Sequence, residues 1–146
     1  MNWQTQAANS HYQTAVAIGR ELTAGRVQEA QAGLQELIDA LGRSERRALK
    51  SQLTRLMAHI IKWQTQPENR SRSWLASIHG ARVEIKDIQD ETPSLTDDII
   101  RSIWNSCFDL AKEQAEAEMD QATNIDALTW DEVFVADYRI GSNETN

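Results

Sequence analysis

The stretch SERRALKSQLTRLMAHIIKWQTQPENRSRSWLASIHGARVEIKDIQDETP, residues 44–93, decides the fold. Its first half places Leu49, Leu53, Leu56, Met57, Ile60 and Trp63 at intervals of three and four, the spacing of one apolar face of a helix. Ser44 can cap that helix and Pro67 stops it, for a length of about 30 Å. After a polar turn, Ser71 or Ser73 can cap a second helix through Trp74, Ile78, Ala81, Ile85 and Ile88, ending at Thr92-Pro93. A turn that short pairs the two helices antiparallel.

The flanks carry the same period. Ala8, Ala15, Ile18 and Leu22 give a helix over about Trp3 to Ala24, with Gly25 as its C-terminal cap. Val27, Ala30, Leu34, Leu37, Ile38 and Leu41 give another, which Gly42 is expected to end. On the other side, Ser94 and Asp97 have capping-box spacing ahead of Ile99, Ile103, Trp104, Phe108, Ala111 and Ala115, in a helix fading near Asp120. Thr129 and Glu132 repeat that spacing before a short helix from Trp130 to Ala136. No segment alternates with period two long enough to make a strand. The expectation is an all-α, up-and-down helical bundle of four main helices plus a short C-terminal helix. It forms a single domain over residues 1–140, followed by a frayed polar tail at 141–146.

Composition bounds the function without naming it. With 40% apolar and 25% charged residues the chain balances like an ordinary globular protein. Neither a membrane span nor a signal peptide is expected, and one cysteine, Cys107, allows no internal disulfide. A reducing cytoplasm fits. The net charge of −7 disfavours nucleic acid as a partner. The charge is segregated, however: ten Lys or Arg against three Glu between Arg43 and Lys86, three against fifteen acids from Asp87 onward. That split reads either as a basic binding face or as a basic helical pair packed beside an acidic helix.

Gly42-Arg43-Ser44-Glu45-Arg46-Arg47, His59-Ile60-Ile61-Lys62-Trp63-Gln64, Gln66-Pro67 and Arg70-Ser71-Arg72-Ser73-Trp74 follow one another in order. Ile78, Arg82 and Pro93-Ser94-Leu95 continue the series. In these motifs the chain resembles the domain-of-unknown-function family 29, common in cyanobacteria, over roughly the first helix to the Trp130 helix. It departs at the end, where Tyr138 to Asn146 replace the family's usual aromatic-proline finish. The resemblance implies an all-α, up-and-down helical protein of unassigned function, with no established catalytic residues.

No catalytic constellation stands out. His59 and His79 lie equally far from the turn, but a metal needs three or four ligands, and no acid is spaced to join them, so no metal site is expected. The alternative is a histidine hydrogen-bonded to backbone or to a carboxylate. Cys107 falls on an apolar face among Ile103, Trp104 and Phe108, as a small buried hydrophobe does. Glu113, Glu116, Glu118 and Asp120 are distributed round their helix rather than paired with histidines. No glycine-rich phosphate loop exists, and no cofactor is expected. Trp63 and Trp74 are placed to pack against each other. One candidate binding site remains, an anion site of Lys62, Arg70, Ser71, Arg72 and Ser73 at a helix start. Its alternative is architectural, with the arginines bonding helix-end carbonyls, stacking on Trp63 or Trp74 and pairing with acids of the C-terminal third. Two functional classes follow: a non-enzymatic module with a protein partner or self-association, or phosphate, nucleotide or nucleic-acid binding through the basic helical pair.

Overall fold

The protein, seen in a computed structural model that describes residues 2–141, is all-α. Most of the tail expected at 141–146 lies outside the described residues. The described residues hold five α-helices and no strand: α1 (Trp3–Asn9), α2 (His11–Thr23), α3 (Val27–Thr65), α4 (Arg72–Glu91) and α5 (Asp97–Met119), with a 3₁₀ turn at Pro67–Asn69 and a π-helical turn at Asp131–Val135. None of the helices is long and apolar enough to cross a membrane. The chain divides into two compact units, Met1–Arg47 and Ala48–Asn146, each with its own core.

In the first unit the single helix expected over Trp3 to Ala24 is two. Ser10 is extended, at φ −158° and ψ 114°, and its hydroxyl accepts from the Gln13 amide at 3.1 Å, so it closes α1 and caps α2. A serine that can satisfy a helix's orphan amides offers the backbone an alternative to continuing. At the far end of α2, Gly25 adopts φ 83°; its amide bonds the Leu22 carbonyl at 3.0 Å and the Arg26 amide bonds Glu21 at 2.8 Å, which is the Schellman stop. The core is small: Trp3, Ala17, Ile18 and Ala30, with Leu37 packed against them. Trp3 Nε1 donates to Glu29 at 2.7 Å, and its ring lies over Gly33, where a Cβ would stand 2.8 Å from ring carbons.

Gly42 does not end a helix. α3 runs through it for 39 residues, about 58 Å, and Ser44, the expected cap of the next helix, lies exposed within it. One exposed glycine costs a helix only about 1 kcal/mol, and Leu41, Arg43, Glu45, Arg46 and Arg47 around it are adequate helix formers.

In the second unit, Leu49, Leu53, Leu56, Met57, Ile60 and Ile61 of α3 are fully buried with Ile78 and Ala81 of α4 and Ile100, Cys107 and Ala111 of α5. Leu128, Val133 and Tyr138 complete this core from the C-terminal segment. Ser71, not Ser73, caps α4, accepting from the Trp74 amide at 3.2 Å. The Ser94–Asp97 box does not form. Thr96 takes the N-cap position without a side-chain bond, and Asp97 instead accepts from Gln89 Nε2 at 3.0 Å. Asp97 and Asp98 still favour a helix start through the dipole. α5 ends at Asp120, in the left-handed region at φ 51°. The Thr129–Glu132 box does form, with reciprocal bonds of 2.9 and 3.1 Å, and opens the π-helical turn in place of the expected short helix.

Candidate functional site

Each residue of the expected anion site takes its place from the end of α3 and the start of α4. Lys62 is buried; its Nζ donates to Glu118 of α5 at 2.6 Å and lies 5.6 Å from the centre of the Trp74 ring. Arg70 Nε donates to the Trp63 carbonyl at 2.9 Å, and its guanidinium stacks 4.8 Å from the Trp63 ring centre. The Ser71 hydroxyl is engaged as the α4 cap. Arg72 and Ser73 are exposed. Lys62 and Arg70 are thus brought to one tryptophan-walled corner, each already holding partners, while Arg72 and Ser73 face outward.

That corner belongs to a longer polar seam. Gln64 donates to Glu132 at 2.7 Å, Thr65 and Thr123 share a 2.8 Å bond, Gln66 donates to Gln121 at 2.7 Å, and Arg82 Nε donates to the Val133 carbonyl at 2.8 Å. The Lys62 hydrogen bond holds the Glu118 carboxyl below its usual range, and the Thr129 amide does the same for Glu132. Trp63 and Trp74 do not pair. Trp63 meets Tyr138 edge-on at 5.9 Å, whereas Trp104 stacks on Trp130 at 5.6 Å. The contacts of Lys62, Gln64, Thr65, Gln66 and Arg82 with Glu118, Glu132, Thr123, Gln121 and Val133, and of Trp63 with Tyr138, join the basic helical pair to α5 or to the segment after it. The Trp104–Trp130 stack ties α5 to that segment.

The match to the Domain of unknown function DUF29 covers residues 12–134. The chain belongs to the DUF29 family. No curated protein and no solved structure matches it. The DUF29 match begins at Tyr12 in α2 and ends inside the π-helical turn, so it takes in both compact units.

In this DUF29 chain the titratable side chains with catalytic potential are dispersed. His59 Nδ1 lies 2.9 Å from the Arg55 carbonyl, and burial pushes the ring's pKa down; His79 is exposed. Cys107 is buried, its thiol pKa raised by desolvation, with Sγ 3.7 Å from the Lys50 carbonyl. Among the described residues no three His, Cys, Asp or Glu side chains group closely enough to hold a metal ion. What periodicity misplaced is an apolar surface. The buried face of α3 in the first unit is Ala30, Gly33, Leu37 and Ala40, while Val27, Leu34, Ile38 and Leu41 are each 41–52% exposed. Their spacing of seven, four and three puts them in one narrow stripe beside the buried face. The signal was present as a helix too apolar for one face, with small residues at four of its positions.

Proposed function

We propose that this protein is a non-enzymatic helical interaction module that docks a protein partner, or a second copy of itself, on the stripe Val27, Leu34, Ile38 and Leu41. The single observation carrying the reading is that four large apolar side chains on one helix face are left about half exposed. Isolated exposed apolar residues need no explanation, but a contiguous stripe at heptad-like spacing is how helices present themselves to other helices. The net charge and the partners already held by Lys62 and Arg70 support the alternative, phosphate or nucleic-acid binding through the α3–α4 corner, less well. The test is the double substitution Leu34→Gln with Ile38→Gln, read by light scattering across a concentration series and by retention of proteins from the native host. These sites are exposed, so stability should change by no more than about 0.5 kcal/mol per site. Loss of a higher-mass species or of a specific retained partner supports the module. A wild-type chain that stays monomeric at every concentration and retains the same proteins as the variant would remove it.

A further inference from the structure

A cavity of about 250 Å³ opens in the first unit, lined by Ala8 of α1, His11 of α2, and Ala40, Arg43, Ser44 and Arg47 of α3. Four of these lie on one face of α3, because Ala40, Arg43, Ser44 and Arg47 are spaced three, one and three apart. Ala40 is buried and, with Ala8, has no side chain beyond Cβ, so both leave room between the polar groups. Opposite them, His11 is the first residue of α2, where unpaired backbone amides give a partial positive charge.

The lining is cationic without compensation. No carboxylate lines the cavity, and neither Arg43 nor Arg47 makes an ion pair or hydrogen bond among the described residues. The nearest acids do not pair with them: Asp39, one turn before Arg43, accepts instead from Gln35 at 3.0 Å, Glu45 is two positions from each arginine and so off their face, and Glu36 does not line the space. Arg43 and Arg47 lie four positions apart on α3, the spacing at which like charges repel.

We infer that this cavity binds the phosphate group of a small phosphomonoester. Two planar guanidinium forks, the Ser44 hydroxyl and the His11 ring offer donors from several directions, which suits a tetrahedral oxyanion; a planar carboxylate would be satisfied by one fork. Two fixed positive charges and a helix start match a dianion. The volume falls below the 300–1,000 Å³ usual for drug-sized ligands, so this half-open pocket suits a phosphate group, with the rest of a small ester reaching toward solvent. A polyanion is the poorer fit, because its further phosphates would meet a chain of net charge −7. The proposal stands independently of the interaction stripe, which it does not use. It also assigns a role to Arg43, Ser44 and Arg47 of the Gly42–Arg47 motif, which the interaction reading leaves without one.

The test compares three single variants of the full chain: Arg43→Gln, Arg47→Gln and Arg46→Gln. All remove one charge from the same exposed stretch of α3, but Arg46 does not line the cavity. Inorganic phosphate and glycerol 3-phosphate are titrated calorimetrically at constant ionic strength, with chloride as the control anion and a single-stranded oligonucleotide as the polyanion. Binding of glycerol 3-phosphate should saturate at one site per chain, at least as tightly as phosphate. It should raise the wild-type melting temperature by mass action. Arg43→Gln and Arg47→Gln should each weaken it at least about tenfold, and Arg46→Gln by less than about twofold. In wild type the His11 ring resonances should shift with the ester. Absence of saturable binding, equal loss in all three variants, binding of phosphate with exclusion of the ester, or an oligonucleotide that binds more tightly than both would each overturn the assignment.

Discussion

Two glycines in α3 show how far one residue's meaning depends on what faces it. A Cβ on Gly33 would stand 2.8 Å from two carbons of the Trp3 ring and 2.9 Å from Ile18 Cγ1, whereas a Cβ on Gly42 meets nothing within 4 Å. The intrinsic gain from alanine in a helix is about 1 kcal/mol at either site. At Gly42 nothing opposes it, so Gly42→Ala should stabilise by about 0.5–1 kcal/mol. At Gly33 the ring and the Ile18 side chain, both in the packed core, must move. Overpacking of that kind costs about 1–3 kcal/mol, so Gly33→Ala should be net destabilising. Chemical denaturation of both variants checks the pair, and the same sign at both positions would contradict the packing seen at Trp3. Sequence alone reads Gly42 as a helix stop and does not single out Gly33, since local pattern carries no information about a tryptophan thirty positions upstream.

At the scale of elements, most was legible where punctuation and period agree. Pro67 and Thr92-Pro93 end helices, Ser71 caps one, and the Leu49–Trp63 and Trp74–Ile88 stripes are buried or half-buried as their spacing requires. Where a single small residue had to decide, it misled: Ser10 breaks a helix that its neighbours would continue, and Gly42 fails to break one. The candidate corner was legible as residues but not as partners, because Glu118, Glu132 and Thr123 reach it from more than fifty positions away. The π-helical turn shows what such distant partners contribute. Arg82 Nε and Nη2 donate to the carbonyls of Val133 and Glu132 at 2.8 and 3.3 Å, Tyr138 Oη donates to Glu132 at 2.7 Å, and the guanidinium lies 5.4 Å from the Tyr138 ring centre. Arg82→Met should therefore cost about 2 kcal/mol, the range for charged hydrogen bonds, and speed amide exchange through residues 133–138. Because Arg82 and Tyr138 share the Glu132 carbonyl, combining Arg82→Met with Tyr138→Phe should cost measurably more or less than the sum of the single changes, as coupled partners do. Additivity would mean that the shared acceptor does not couple them.

For the molecule as a whole, the two units differ in what they can bury. Among the described residues of the first unit, Trp3 and Ile18 are the only large apolar side chains buried, with alanines around them, and pieces that small are marginal on their own core. Residues 48–146 bury six large side chains of α3 alone at essentially zero exposure. α3 contributes to both, so one continuous helix has two different environments along its length. Its hydrogen-bond ladder is continuous from Val27 to Thr65, and a continuous ladder alone would give uniform protection. Protection in fact follows the free energy of opening, which tracks the apolar surface exposed when a stretch comes apart. Amide exchange should therefore step along α3. Residues 30–41, whose outer stripe of Leu34, Ile38 and Leu41 is already half in water, should exchange at least about tenfold faster than residues 53–63. The step should shrink when Gly42→Ala stiffens the junction, and at concentrations where a partner or second copy covers the stripe it should move toward the N-terminus. Equal protection at both ends in the dilute, unliganded chain would mean that the first unit is as firmly held as the second. The exposed stripe would then not be a weak edge awaiting a partner.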